Sequence, residues 1–232
     1  MGVELRLDDA RFEWPNGEPV LNGASLTLRR GRITGLSGAN GSGKTTLVHL
    51  LTRRYPLSGG RLRVDGVVAS SIDLQAYRRQ VAVVPEAVKI FHGTLGDNIV
   101  LAREELSPEE LADRLHDLAV GPFISRFKGG LATMLGEDGR RLSAGERQMI
   151  GLIRVLLCRP SVLIIDEGLN ALDPQMYRTA IRALAAHASR GAVLVISHHP
   201  SVLALADERL RLEGGVITSV MAHEPGPEAE AA

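Results

Sequence analysis

The 232-residue sequence holds a single cysteine, Cys158, inside an apolar helical run. A lone thiol excludes a disulfide framework and points to a reducing compartment; its apolar setting reads as an inert buried side chain. No apolar run approaches the ~20 residues that a membrane span needs, and Met1-Gly2-Val3 opens no signal-peptide pattern. The chain as given is therefore expected to be soluble. It is either free-standing or, the favoured expectation, the C-terminal part of a membrane-fused polypeptide. Net charge is missing too, with 27 Lys+Arg against 27 Asp+Glu. No global field then draws the molecule to nucleic acid or anionic lipid, and such a partner has to be recognised locally. The sequence also lacks internal repeats, heptad runs and basic arms. What it does contain, 44% hydrophobic and 23% charged residues, suits one large domain or two small ones with a proper core.

Short β-type runs come first: "VELRL" (3–7), "GASLTLR" (23–29) and "RITGLS" (32–37). At residue 44 the pattern turns helical, "KTTLVHLLTRR", and "GGRLRVDG" (59–66) reads as a strand between turn glycines. "RQVAVVP" (79–85) is a buried strand ended by proline. From 94 to 157 the text is mostly helical. Ser107, Pro108 and Glu110 there spell an N-cap, a first helical position and a capping box. "PSVLIIDE" (160–167) and "AVLVIS" (192–197) are buried strands, and Asp173-Pro174 opens a helix through about Ala188. "DERLRLEGGVITSV" (207–220) reads as a hairpin turning at Gly214-Gly215, and the tail from 223 to 232 as disordered. Buried strands alternating with helices predict a parallel α/β core, interrupted by a helical subdomain at roughly 88–158.

"GANGSGKT", Gly38 to Thr45, fits the phosphate-binding P-loop pattern with both glycines, the lysine and the hydroxyl in place. Glycines let backbone N–H groups converge on one concavity, and the following helix adds its positive end. Lys44 can reach the β- and γ-phosphates, and Thr45 can offer its hydroxyl to Mg²⁺. The second part such a site requires is an acid at the end of a buried strand. "VLIIDE" supplies two. Asp166 can hold Mg²⁺ through water, and Glu167, pointing to the open side, can orient or deprotonate an attacking water.

A second helix start suited to an anion lies at "LSAGE" (142–146), where Ser143 and Glu146 form a capping box around Gly145. Alone it is an ordinary helix start. Together, "GANGSGKTT", "LSAGE", "LIIDE", "NALD" and "VISHH" stand in the order and spacing of an ATP-binding cassette. From about Val3 to Val220 the chain resembles the ATPase of ABC transporters, of exporter type. The resemblance implies a P-loop NTPase core, a mostly parallel sheet flanked by helices. An N-terminal antiparallel β subdomain and the inserted α-helical subdomain complete it, within one domain spanning 1–222.

The resemblance also implies roles. Gly38, Asn40, Gly41, Ser42, Gly43, Lys44, Thr45 and Thr46 would cradle ATP, with Trp14 stacking on adenine and Phe12 as the fallback. Ser143, Gly145, Glu146 and Asp173 would serve across a head-to-tail pair of cassettes, each ATP gripped by the P-loop of one and the signature of the other. Asp173 has a plainer reading as the N-cap of the next helix. His198 would contact the γ-phosphate, with His199 facing the other way. Glu137 would sense a transmembrane partner. The implied function is ATP hydrolysis at the cytoplasmic face of a membrane, driving transport by a transmembrane domain, with Glu167, His198 and Lys44 catalytic and no nucleic acid involved. The rivals are an ATP-gated clamp outside transport and an ATP sensor that does not turn over. Two departures stand out. Glu86 occupies the position where the family has Gln, placing a full charge where a neutral amide would face Mg²⁺. Ala144 and Glu146 depart from the signature usually written LSGGQ.

Overall fold

The computed structural model describes residues 4–101, 106–136, 139 and 142–220. The N-terminal Val3, Glu137 and the tail from 223 to 232 lie outside the described residues. Four strands, β1 (Glu4–Glu13), β2 (Pro19–Arg29), β4 (Gly59–Val64) and β5 (Val67–Val68), make an antiparallel sheet in the order β2-β1-β4-β5. Six others make the second sheet: β3 (Ile33–Ser37), β6 (Val81–Val84), β7 (Val162–Asp166), β8 (Ala192–Ile196), β9 (Glu208–Glu213) and β10 (Val216–Ser219). Their order is β10-β9-β3-β8-β7-β6, and every pairing is parallel except the β9–β10 hairpin. That hairpin turns at Gly214 and Gly215, both at positive φ. The α/β class and the mostly parallel sheet are as expected from the alternation of apolar runs.

Strands β7 and β8 are buried along their length, except that Asp166 is half-buried. Side chains on a strand alternate between faces, so two buried faces need an unbroken apolar run. Val162, Ile164, Ala192, Leu194 and Ile196 face one core, which they share with helix α1 (Lys44–Leu51) and the antiparallel sheet. Leu163, Ile165, Val193 and Val195 face the other. There they meet α3 (Leu95–Val100), α4 (Pro108–Asp117), α5 (Gly121–Ile124), α6 (Ala144–Leu156) and α7 (Pro174–Ala188). Helices α3 to α6 fall between the neighbouring strands β6 and β7. Two short helices, α2 (Leu74–Gln80) and α8 (Pro200–Leu203), complete the set.

Helix starts follow their local chemistry. Ser107 and Glu110 exchange backbone bonds of 2.9 and 3.1 Å ahead of α4, with Pro108 in the first turn. Asp173 caps α7, which ends at Ala188 as its sequence suggests. Strand β2 starts earlier than expected, at Pro19 rather than Gly23. The strand passes through Gly23 at φ 90°, where its register with β1 shifts, because a glycine in a strand marks a bulge as readily as a boundary.

Candidate functional site

The loop between β3 and α1 is shaped by its glycines. A Cβ on Gly43, at φ 100°, would stand 2.6 Å from Val20 Cγ1; one on Gly38 would stand 2.6 Å from Ser42 Oγ and 2.7 Å from the Leu212 carbonyl. Helix α1 has no side-chain cap, so its first-turn N–H groups are left for a ligand. Ser42 Oγ is buried in this loop without a hydrogen-bond partner among the described residues, a polar atom that calls for one. Lys44 Nζ donates to the carbonyls of Gly38 and Ala39, both at 2.9 Å. The ammonium is thus folded over the concavity that the glycines open. An uncapped helix end, an orphaned hydroxyl and a lysine over the cradle together fit a phosphate chain.

Strands β6 and β7 run parallel with Val84 opposite Ile165, so the residues following them emerge side by side. Glu86 comes from the first, Asp166 and Glu167 from the second. Burial pushes the Asp166 carboxyl up from its ordinary value, the neighbouring Glu167 and Glu86 carboxylates add to the rise, and Lys44 opposes it. Among the described residues no three His, Cys, Asp or Glu side chains are placed to hold a metal by themselves, so a cation here would need ligands from the nucleotide as well. Mg²⁺ typically takes one or two carboxylates alongside substrate phosphates, and the Thr45 hydroxyl with Asp166 is a donor set of that kind. Glu86 is exposed, and its backbone carbonyl accepts a hydrogen bond from Gln148 Nε2 on α6.

Glu167 sits in the left-handed region at φ 56°, its N–H donating to the Ile196 carbonyl at 3.0 Å. Its Oε2 accepts from Asn170 Nδ2 at 2.7 Å and pairs with His198 Nδ1 at 3.0 Å. The His198 side chain is 63% exposed, so it is not a core histidine. His199 lines a separate pocket of about 300 Å³ with Tyr177 and Pro174, although the two imidazole rings lie 4.4 Å apart. Trp14 is half-buried, edge-on to Phe12 at 5.0 Å and to Tyr55 at 5.2 Å. Phe12 is buried beside it at 6% exposure, and of the two rings only Trp14 lines the cleft described below.

A cleft of about 1160 Å³ gathers Trp14, Asn40, Gly41, Gly43, Lys44, Thr45, Thr46, Glu86, Asp166, Glu167 and His198. Gly38 and Ser42 shape the loop from behind. Of the signature stretch, Ala144 rather than Ser143, Gly145 or Glu146 lines this cleft, beside Arg147 and Gln148. Ser143 and Glu146 are engaged with each other, at 2.8 and 3.1 Å. Gly145 is buried, and a Cβ on it would stand 2.5 Å from the Ala171 carbonyl. Asp173 also lies outside the cleft: it caps α7 through Gln175 N–H (3.0 Å) and Met176 N–H (2.8 Å) and pairs with Arg126 at 2.7 Å. Asn170, Gln148, Tyr55 and Arg126 take part in the site's contacts without a motif in the sequence that assigns them a role. Asn170 carried a faint signal, a short amide three residues after a candidate carboxylate.

The ABC transporter family model matches residues 21–170. An ATP-dependent lipid A-core flippase of Chromobacterium violaceum is 36% identical over 221 residues, covering 95% of this chain and 38% of the relative. A cyclolysin secretion/processing ATP-binding protein of Bordetella pertussis is 34% identical over 95% of this chain and 31% of its own length. A mycobactin import ATP-binding/permease protein of Mycolicibacterium thermoresistibile is 35% identical over 91% of this chain and 36% of its own. A solved bacterial Atm1-family ABC exporter with ATP bound superposes with a TM-score of 0.84 at 30% identity, covering 93% of this chain and 38% of that one. The chain spans under two-fifths of the length of these relatives.

Proposed function

This chain belongs to the ABC transporter family, and from that premise we propose that it is the ATP-hydrolysing cassette of an exporter-type transporter. The observation that carries the reading is the cleft itself, where the P-loop lysine, the strand-end carboxylates, His198 and the half-buried Trp14 converge. In this reading residues 1–222 are one ATPase domain with the helices of 88–158 inserted. It works at the cytoplasmic face of a membrane with a transmembrane partner and a second cassette.

Trp14 takes the adenine ring. The first-turn N–H groups of α1 and the P-loop amides hold the phosphate chain, and Lys44 exchanges its two carbonyl contacts for the β- and γ-phosphate oxygens. Mg²⁺, when bound, neutralises phosphate charge, and Thr45, Asp166 and Glu86 would hold it. Glu167 orients the water that attacks the γ-phosphorus and accepts its proton, while His198 faces the same phosphate. Ser143, Gly145, Glu146 and Asp173 lie outside their own cleft, which suits a role toward the nucleotide of a second copy. The relatives include both a secretion and an import protein, so direction is assigned to the membrane part rather than to the cassette.

Phosphate release by the wild-type chain with Mg²⁺-ATP, and its loss in Glu167→Gln, test the reading. Glu167→Gln is expected to pair on adding Mg²⁺-ATP, seen as a shift in sedimentation. Turnover retained in Glu167→Gln refutes the assignment of Glu167, and a trapped variant that stays monomeric refutes the pairing.

A further inference from the structure

The segment from Glu167 to Asp173 carries the chain from β7 to α7, and it is pinned along its course. Glu167 N–H extends the β7–β8 ladder by bonding the Ile196 carbonyl at 3.0 Å. Ala171 presses its carbonyl against the bare face of Gly145. Asp173 caps α7. Asn170 therefore projects from a fixed backbone. Its Nδ2 donates to Glu167 Oε2 at 2.7 Å, and its Oδ1 accepts from Ser197 Oγ at 3.2 Å. Ser197 is itself held: it is 1% exposed, its N–H bonds the Leu36 carbonyl at 3.1 Å, and its Oγ accepts from His199 N–H at 3.1 Å. His198 Nδ1 shares the same Glu167 oxygen at 3.0 Å. Two donors thus meet on Oε2, and among the described residues no hydrogen bond reaches Oε1.

We infer that Asn170 is a positioning residue for hydrolysis: its amide, oriented by Ser197, holds Oε2 of Glu167 and leaves Oε1 as the oxygen that meets the attacking water. The inference rests on the ATPase reading of this cleft. The amide has one workable orientation. Turned over, its oxygen would face an ionised carboxylate, and that repulsion opposes the flip. Hydrolysis depends on where the general base stands, so loosening it lowers kcat while leaving the contacts that bind nucleotide in place.

Two substitutions separate this role from mere packing. Asn170→Asp keeps the size and removes the donor, setting a second carboxylate against Glu167. Asn170→Ala removes the donor and adds no repulsion. A packing role makes the isosteric Asp variant the milder one; the positioning role makes it the worse. In the full chain, kcat is expected to fall about tenfold in Asn170→Ala and on the order of a hundredfold in Asn170→Asp, with KM for ATP within about twofold in both. Ser197→Ala should cost about threefold in the wild-type background and nothing further in Asn170→Ala. An Asn170→Asp variant as active as wild type, or more active than Asn170→Ala, overturns the inference while leaving the ATPase reading intact. Should Asn170→Asp fail to fold, the Ser197–Asn170 cycle decides, and additive losses overturn it. A wild-type chain without phosphate release, or Glu167→Gln with it, overturns both.

Discussion

Gly145 offers a clean separation between packing within a cassette and contact across a pair. It is the second residue of α6, in the first turn rather than the interior, so replacing it with alanine gains at most about 0.5 kcal/mol of helix propensity. Against that stands the contact geometry. The added Cβ would be 2.5 Å from the Ala171 carbonyl and 3.0 Å from Met176 Cε. The methionine tip can move; the carbonyl belongs to the segment that ends in the capped start of α7. Relieving an overpacked contact of this kind costs about 1–3 kcal/mol, which leaves a net loss of about 0.5–3 kcal/mol. At about 2–4 °C per kcal/mol for a chain of this size, the melting temperature of Gly145→Ala should drop by about 1–12 °C. The assay is thermal unfolding of the nucleotide-free protein, followed by near-UV circular dichroism. The displaced loop carries Asn170, so phosphate release should fall as well. A melting temperature equal to or above wild type would refute the packing argument. The glycine would then be needed only where another molecule approaches.

Trp14 is the only tryptophan in the chain, so nucleotide stacking on it should change intrinsic fluorescence on titration with ATP. Trp14→Ala should weaken binding about tenfold, in line with about 1–3 kcal/mol for base–aromatic stacking, and an unchanged affinity would reject the stacking role. Glu86→Gln removes one of the charges that raise the Asp166 carboxyl. It should move the Mg²⁺ dependence of phosphate release to higher Mg²⁺, and superimposable curves would show the acid to be a tolerated exchange. Burial, aided by Arg190, lowers the His187 imidazole to about 4, and its Nε2 has no hydrogen-bond partner among the described residues. The folded chain keeps this ring neutral while the unfolded chain protonates it near pH 6.5. Its contribution is therefore complete above that value and is lost as pH falls toward 4. Between pH 7 and 5 the loss should be about 2 kcal/mol, read by denaturant titration. His187→Met should flatten that slope, and an identical slope in the variant would discount the residue.

The parts of the site that a reader could find in the sequence are those whose chemistry is local. The P-loop needs its glycines, lysine and hydroxyl within eight positions, and the carboxylates Asp166 and Glu167 end one apolar run. Helix caps at Ser107, Ser143 and Asp173 were equally legible, because the donor and acceptor are neighbours in the chain. Contacts between distant segments left little trace. Ser197 reaches Asn170 across 27 positions, and Gln148 reaches the Glu86 carbonyl across 62. The burial of Phe12 is hidden by a register shift in β1. Leu5 and Leu7 face the core, yet so do Ala10 and Phe12, because the strand slips by one residue near Asp9, at φ 46°. Simple alternation would have turned Phe12 outward.

Strand β7 sets one row of side chains in each of the two cores, Val162 and Ile164 on one side, Leu163 and Ile165 on the other. It is a party wall, and neither room can be emptied without exposing the neighbour's plaster. The reacting groups are thereby displaced to the ends of the strands. Asp166, Glu167 and His198 stand just past the doubly buried run, where backbone bonds such as Glu167 N–H to the Ile196 carbonyl, rather than core packing, hold them in place.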